Sequence, residues 1–188
     1  MGKDLRRERR KRKQRTTILL VTNGGKTEKT YLGILKDRVP RDSVLSIRMS
    51  CYDGKEPETI LKNLLRPRTG LDEYDEVWIV VDHDGTDRQQ FLTDCRKVRR
   101  SKVFGVVSVP CFEVWLNAHY GPVRNYRNQE DAQRHYRELT GLSSQEEKSL
   151  PPSFPFDAFA RACTSSRLPG GVARRRRRAA PRCPCASR

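Results

Sequence analysis

A chain of 188 residues, 35% hydrophobic and 33% charged, has the length of one domain and enough apolar residues for a single core. Its net charge of +16 sits at the ends: residues 1–15 hold nine Lys/Arg and two acids, residues 161–188 hold nine Arg and no acid, and 16–160 is formally neutral. No stretch reaches the ~20 apolar residues of a membrane span, the basic start meets only a short apolar run rather than a signal peptide, and the six cysteines form no CxxC pair; no membrane partner and a reduced, cytoplasmic setting are expected.

Residues 1–15 are expected as a basic disordered arm, attracted to phosphate irrespective of sequence. Thr17–Thr22 (TILLVT) is a continuous apolar run, as expected for a strand covered on both faces. It breaks at Asn23-Gly24-Gly25, and a helix follows from Thr27 to Arg38 with Tyr31, Ile34 and Leu35 on one face. Val44–Cys51 is the second strand. A helix from Pro57 carries the stripe Ile60, Leu61, Leu64 and Leu65. Glu76–Val81 (EVWIVV) is the third strand and runs directly into Asp82-His83-Asp84, with a helix expected over Thr86–Val98. Val103–Val109 is the fourth strand, and Cys111–Tyr120 a short helix. The alternation predicts an α/β fold, a mostly parallel sheet of about four strands with helices on both faces.

Beyond Tyr120 the pattern weakens. Glu130–Leu139 has helical spacing, Ser149–Pro155 is Pro-rich and reads as a linker, and Phe156–Ala162 can begin another helix. The division expected is an arm over 1–15, a domain over 16–140, and a linker with an Arg/Pro-rich, disordered tail over 141–188. The tail's bias resembles translation of a shifted, GC-rich reading frame.

In a parallel sheet, ligands bind at the carboxyl ends of the strands. Two polar clusters fall there. Asp82-x-Asp84 offers two carboxylates, which with water and a substrate phosphate is what Mg²⁺ takes; the alternative is that Asp84 or Thr86 caps the next helix. Asn23–Glu28 places glycines and Lys26 at a strand-to-helix turn, where backbone N–H groups can meet an anion. A nucleotide P-loop would need glycine where Leu20 stands. Glu28 is either a further ligand or a favourable charge in the first helical turn. Glu113, one turn beyond the fourth strand, is a ligand, an orienting group or a partner for a base. Phe112, Trp115, Leu116 and His119 share one helical face and read as core, with Glu113 and Asn117 on another. His83 is expected at the periphery.

Three blocks, ILLVTNGGKTE (18–28), EYDEVWIVVDHD (73–84) and PCFEVWLNAHY (110–120), resemble in joint order the RloB-like family, a bacterial group with a Toprim-type domain found near restriction and abortive-infection genes. The resemblance spans roughly Thr17 to Tyr120. It implies a Toprim-like fold and Asp82 and Asp84 as ligands of Mg²⁺ (or Mn²⁺), with Gly24 and Thr27-Glu28 matching the family's motif; joined to the reading of the residues, Gly24, Gly25 and Lys26 are expected at a phosphate, with Glu28 and Glu113 assisting. The family's general acid/base Glu falls on Asn23, an amide that cannot exchange a proton near neutral pH. The blocks give way to the Arg-rich tail where the family continues in helices, and both departures suggest a degenerate or truncated member. Three functions follow as expectations: a Mg²⁺-dependent, Toprim-type nuclease of phage defence acting on nucleic acid, with an ATPase partner by family context; an inactive nucleic-acid-binding or scaffold subunit; or a nucleotide sensor.

Overall fold

The computed structural model describes residues 15–67, 69–99, 101–143 and 149–166. The expected basic arm, but for Arg15, and the Arg-rich tail from 167 lie outside the described residues. Four strands form one sheet: β1 (Thr16–Thr22), β2 (Leu45–Cys51), β3 (Glu76–Asp82) and β4 (Lys102–Ser108). Their order is β2-β1-β3-β4 and every pairing is parallel. The α/β class with a four-stranded parallel sheet is therefore as the alternation predicts, and it is consistent with a Toprim-like fold.

Among the described residues there are six α-helices: α1 (Thr27–Asp37), α2 (Pro57–Leu64), α3 (Gln89–Lys97), α4 (Glu113–Tyr120), α5 (Gln129–Thr140) and α6 (Phe159–Ser165). Side chains alternate across a strand, so the two faces of the sheet feed two cores. Leu19, Val21, Val77, Ile79, Val81 and Val103 meet α2 and α3 on one face. Val80 and Val106 meet Tyr31 of α1 and Phe112, Leu116 and Tyr136 around α4 and α5 on the other. The central strand β3 is the most buried, which is why its sequence is apolar without a break.

The first core closes tightly on β4. A Cβ built on Gly105 would lie 2.9 Å from both Leu92 Cδ2 and Phe91 Cε1 and 3.3 Å from Cys95 Sγ. Only a glycine lets α3 lie this close. Gly105→Val is expected to cost about 2 kcal/mol in urea unfolding through forced repacking of these side chains.

The second core differs from the sequence expectation in two ways. Helix α4 is buried on nearly every side: Leu116, His119, Asn117 and Glu113 are all at most 5% exposed. Asn117 of its polar stripe faces protein because α5 covers it, with Nδ2 donating to the Ala132 carbonyl at 3.0 Å, while α6 lies against Trp115 and His119. Phe154, inside the stretch expected as linker, is also buried (5% exposed) and packs edge-on to Tyr31. Its neighbour Phe156 stacks on the same ring at 5.6 Å. At the centre, His119 Nδ1 is 3.0 Å from the Trp115 carbonyl, which can only accept. Nδ1 therefore carries the proton, and Nε2 accepts from the Tyr31 hydroxyl at 3.1 Å. Burial holds His119 below its ordinary pKa, in keeping with this neutral form. Among the described residues, no helix is long and apolar enough to cross a membrane.

Candidate functional site

The carboxyl ends of the four strands share one rim. A cleft of about 550 Å³ opens there, lined by Asn23, Gly24, Gly25, Lys26, Thr27 and Glu28 after β1, and by Asp82 and Asp84 at and after β3. Glu113, at the start of α4 beyond β4, joins them. Every site residue expected from the sequence thus reaches a single cavity. A second cleft at the amino ends of the strands, lined in part by Arg96, Arg99 and Lys102, contains none of them.

The local geometry explains how each group arrives. Asp82 is the last residue of β3 and sits beside Ser108 of β4 in register. The chain then turns through two left-handed residues, Asp84 (φ 49°) and Gly85 (φ 70°). Thr86 N–H donates to the His83 carbonyl at 2.9 Å and Gly85 N–H to His83 Nδ1 at 3.1 Å. This turn occupies His83 locally and leaves Asp84 exposed at the cleft. It also delays the next helix, which begins at Gln89 rather than Thr86, with Asp87 Oδ1 accepting from Gln89 N–H. Neither Asp84 nor Thr86 is a cap. The far end of this loop is held by Arg88, 6% exposed, whose Nη1 lies 2.9 Å from Glu56 Oε2 before α2.

On the β1 side, Gly24 and Gly25 are needed for room. A Cβ at Gly24 would run into the Glu28 carboxylate, and one at Gly25 would meet the Asp53 carboxylate at 2.6 Å. The two glycines form a floor under two acids. The turn is held by Thr22 Oγ1, donating to the Gly24 carbonyl at 3.2 Å, and by Gly54 N–H, donating to the Asn23 carbonyl at 3.1 Å. Lys26 is exposed at the start of α1, where the helix dipole favours an anion. Glu28 is buried (6% exposed) and folded back over the turn, so it reaches the cleft from the first turn of the helix.

The electrostatics converge on Asp82. Its carboxyl is pushed up to about 8, first by burial, then by the Glu28, Glu113 and Asp84 carboxylates; a backbone hydrogen bond from Phe112 acts in the opposite direction. Its Oδ1 is buried and has no hydrogen-bond partner. An uncompensated buried oxygen among like charges is costly unless a cation or proton joins it. Among the described residues, no three His, Cys, Asp or Glu side chains form a ready ligand shell. The cleft is therefore not a closed cage such as structural zinc occupies. It fits a hydrated Mg²⁺ or Mn²⁺, which takes one or two carboxylates and keeps several waters.

The family model described as RloB-like protein matches residues 18–170, which cover most of the chain. The chain belongs to the RloB-like family. No curated protein and no solved structure matches it. The RloB-like match continues well past Tyr120, where the recognisable motif blocks end, and takes in α5, Phe154, Phe156 and α6. Four residues that line the RloB-like cleft escape the sequence motifs: Asp53 and Gly54 after β2, and Gln129 and Gln133 on α5. Asp53 had a signal, since it belongs to an Asp-Gly turn at a strand end. Gln129 and Gln133 are four apart on one helix, but nothing in the sequence brings α5 over the rim.

Proposed function

We propose that this RloB-like chain is a Toprim-type, divalent-metal-dependent protein that acts on nucleic-acid phosphodiesters in bacterial phage defence. The observation that carries the reading is the orphaned Asp82 Oδ1, buried among acids in the same cleft as Lys26 and the Gly24-Gly25 turn. Asp82 would hold Mg²⁺ or Mn²⁺ with Asp84. Glu28 and Glu113 would orient the ion's waters, and Lys26 and the N–H groups of the turn would receive phosphate. When bound, the ion neutralises phosphate charge and polarises the phosphorus–oxygen bonds. The chain's own residues orient the phosphate and set the charge around it. The basic ends supply further, salt-sensitive attraction to nucleic acid. An ATPase partner is part of the proposal by family context.

A second reading is favoured by Asn23. It lines the cleft; the resemblance puts the Toprim glutamate at this residue, and its amide cannot transfer protons. On that reading the chain binds nucleic acid and metal without cutting. The two are separated by incubating plasmid DNA and RNA with Mg²⁺ or Mn²⁺ and the parent, Asp82→Ala and Asn23→Glu proteins. Cleavage by the parent that is lost in Asp82→Ala establishes the enzyme. Cleavage only by Asn23→Glu establishes an inactivated site that still binds. No metal-dependent binding or cleavage by any of the three overturns both.

A further inference from the structure

A smaller pocket of about 260 Å³ adjoins the metal-phosphate cleft and is lined by Ser108, Val109, Trp115, Val123, Arg124 and Tyr126, among others. Its volume is below the roughly 300–1,000 Å³ of pockets that hold drug-sized ligands. It suits a single planar ring system. We infer that this pocket receives a nucleobase of the nucleotide whose phosphate lies at the Asp82 cleft; the inference rests on the proposed function of that cleft.

Three observations carry it. The first is position. Ser108 in the pocket is the register partner of Asp82, and neighbouring strands lie about 4.8 Å apart. One nucleotide can therefore reach from the cleft to the pocket. A residue of each cavity is also in direct contact: the Cys111 thiol of the pocket donates to the carbonyl of Gln129, a cleft residue, at 3.9 Å.

The second is a rigid aromatic side. Asn117 Nδ2 donates to the Tyr126 hydroxyl oxygen at 3.0 Å, and the same hydroxyl is hydrogen-bonded to His135 Nδ1 at 2.8 Å. Asn117 and His135 are both buried. Tyr126 is thus held from behind, with its orientation set before any ligand arrives. Aromatic platforms of this kind bind bases by stacking with little dependence on sequence. The third is the mouth, where Arg124 and Asn125 are exposed and offer a guanidinium plane and an amide edge.

The test is calorimetry on the full chain with Mg²⁺ and three probes: inorganic phosphate, nucleoside monophosphates of the four bases, and the corresponding free nucleosides. The parent is expected to bind monophosphates at least about tenfold more tightly than phosphate. Tyr126→Ala, and independently Val123→Trp, which fills the pocket without touching the Tyr126 hydrogen bonds, should remove that advantage while phosphate binding persists. Asp82→Asn should weaken phosphate and monophosphates and leave nucleosides unchanged. Monophosphates binding no better than phosphate, or Val123→Trp behaving as the parent, overturns the pocket while the cleft stands. Nucleoside binding that is sensitive to Val123→Trp, with no binding of phosphate or Mg²⁺, sustains the pocket and overturns the cleft reading instead.

Discussion

Replacing Asp82 with asparagine is expected to raise the melting temperature of the metal-free protein and to abolish its stabilisation by Mg²⁺. The folded-state carboxyl is raised from 3.8 to about 8. Between those values the folded chain keeps a proton that the unfolded chain has released. The contribution of Asp82 to stability is therefore complete below 3.8, falls as pH rises through this window, and levels off above 8. At pH 7 the folded chain must hold on Asp82 a proton that the unfolded chain has released, a cost which asparagine does not carry. A gain on the order of 2 kcal/mol, or roughly 5 °C in a chain of this size, is expected in thermal melts with chelator. Cation binding requires the ionised form, so Mg²⁺ affinity of the parent should rise roughly tenfold per pH unit up to about pH 8 and then flatten. An Asp82→Asn protein that melts lower than the parent in chelator, or one that Mg²⁺ still stabilises, would remove Asp82 from the centre of the site.

Gly24→Ala is expected to separate folding from function in the opposite sense to Gly105→Val. At Gly105 the added methyl meets core side chains with nowhere to go. At Gly24 it meets the end of the Glu28 side chain, which can swing away. Stability should change by less than about 1 kcal/mol. The swing takes Glu28 off the floor of the cleft and away from Asp82, so Mg²⁺ affinity should fall about tenfold or more, as when other supports of a metal site are lost. Calorimetric titration of Mg²⁺ and a urea melt on the same preparation decide it. Unchanged affinity would mean that Glu28 only neutralises the helix dipole.

β1, β3 and β4 are legible in the sequence because buried parallel strands are apolar runs with turn residues at each end; the edge strand β2 (LSIRMSC) has no buried residue and is more polar. All four have observed bounds within one residue of those expected from the pattern. The rule that such sheets bind at the carboxyl ends of their strands was enough to bring Asn23–Glu28, Asp82, Asp84 and Glu113 together. What escaped the sequence depends on long-range placement. The start of α3 is not legible because Thr86 has the chemistry of a cap, while the left-handed turn at Asp84-Gly85 carries the chain three residues further. Helical spacing alone does not show which way Glu28 points; the fold places its carboxylate over Gly24, at the cleft. Asp53 is far from the motif blocks and enters the cleft only because β2 lies beside β1. Gln129 and Gln133 come from a helix whose position over the rim is set by its packing on α4.

The seating of Phe154 and Phe156 against Tyr31 has a consequence for where this molecule can be divided. The sheet and its first four helices look self-sufficient along the sequence, yet one of its two faces is finished by rings that arrive from beyond residue 149. A version stopped at 140 would present Tyr31, Trp115 and the surroundings of His119 to water, and such an apolar surface invites self-association. The smallest inheritable piece of this architecture therefore reaches through α6.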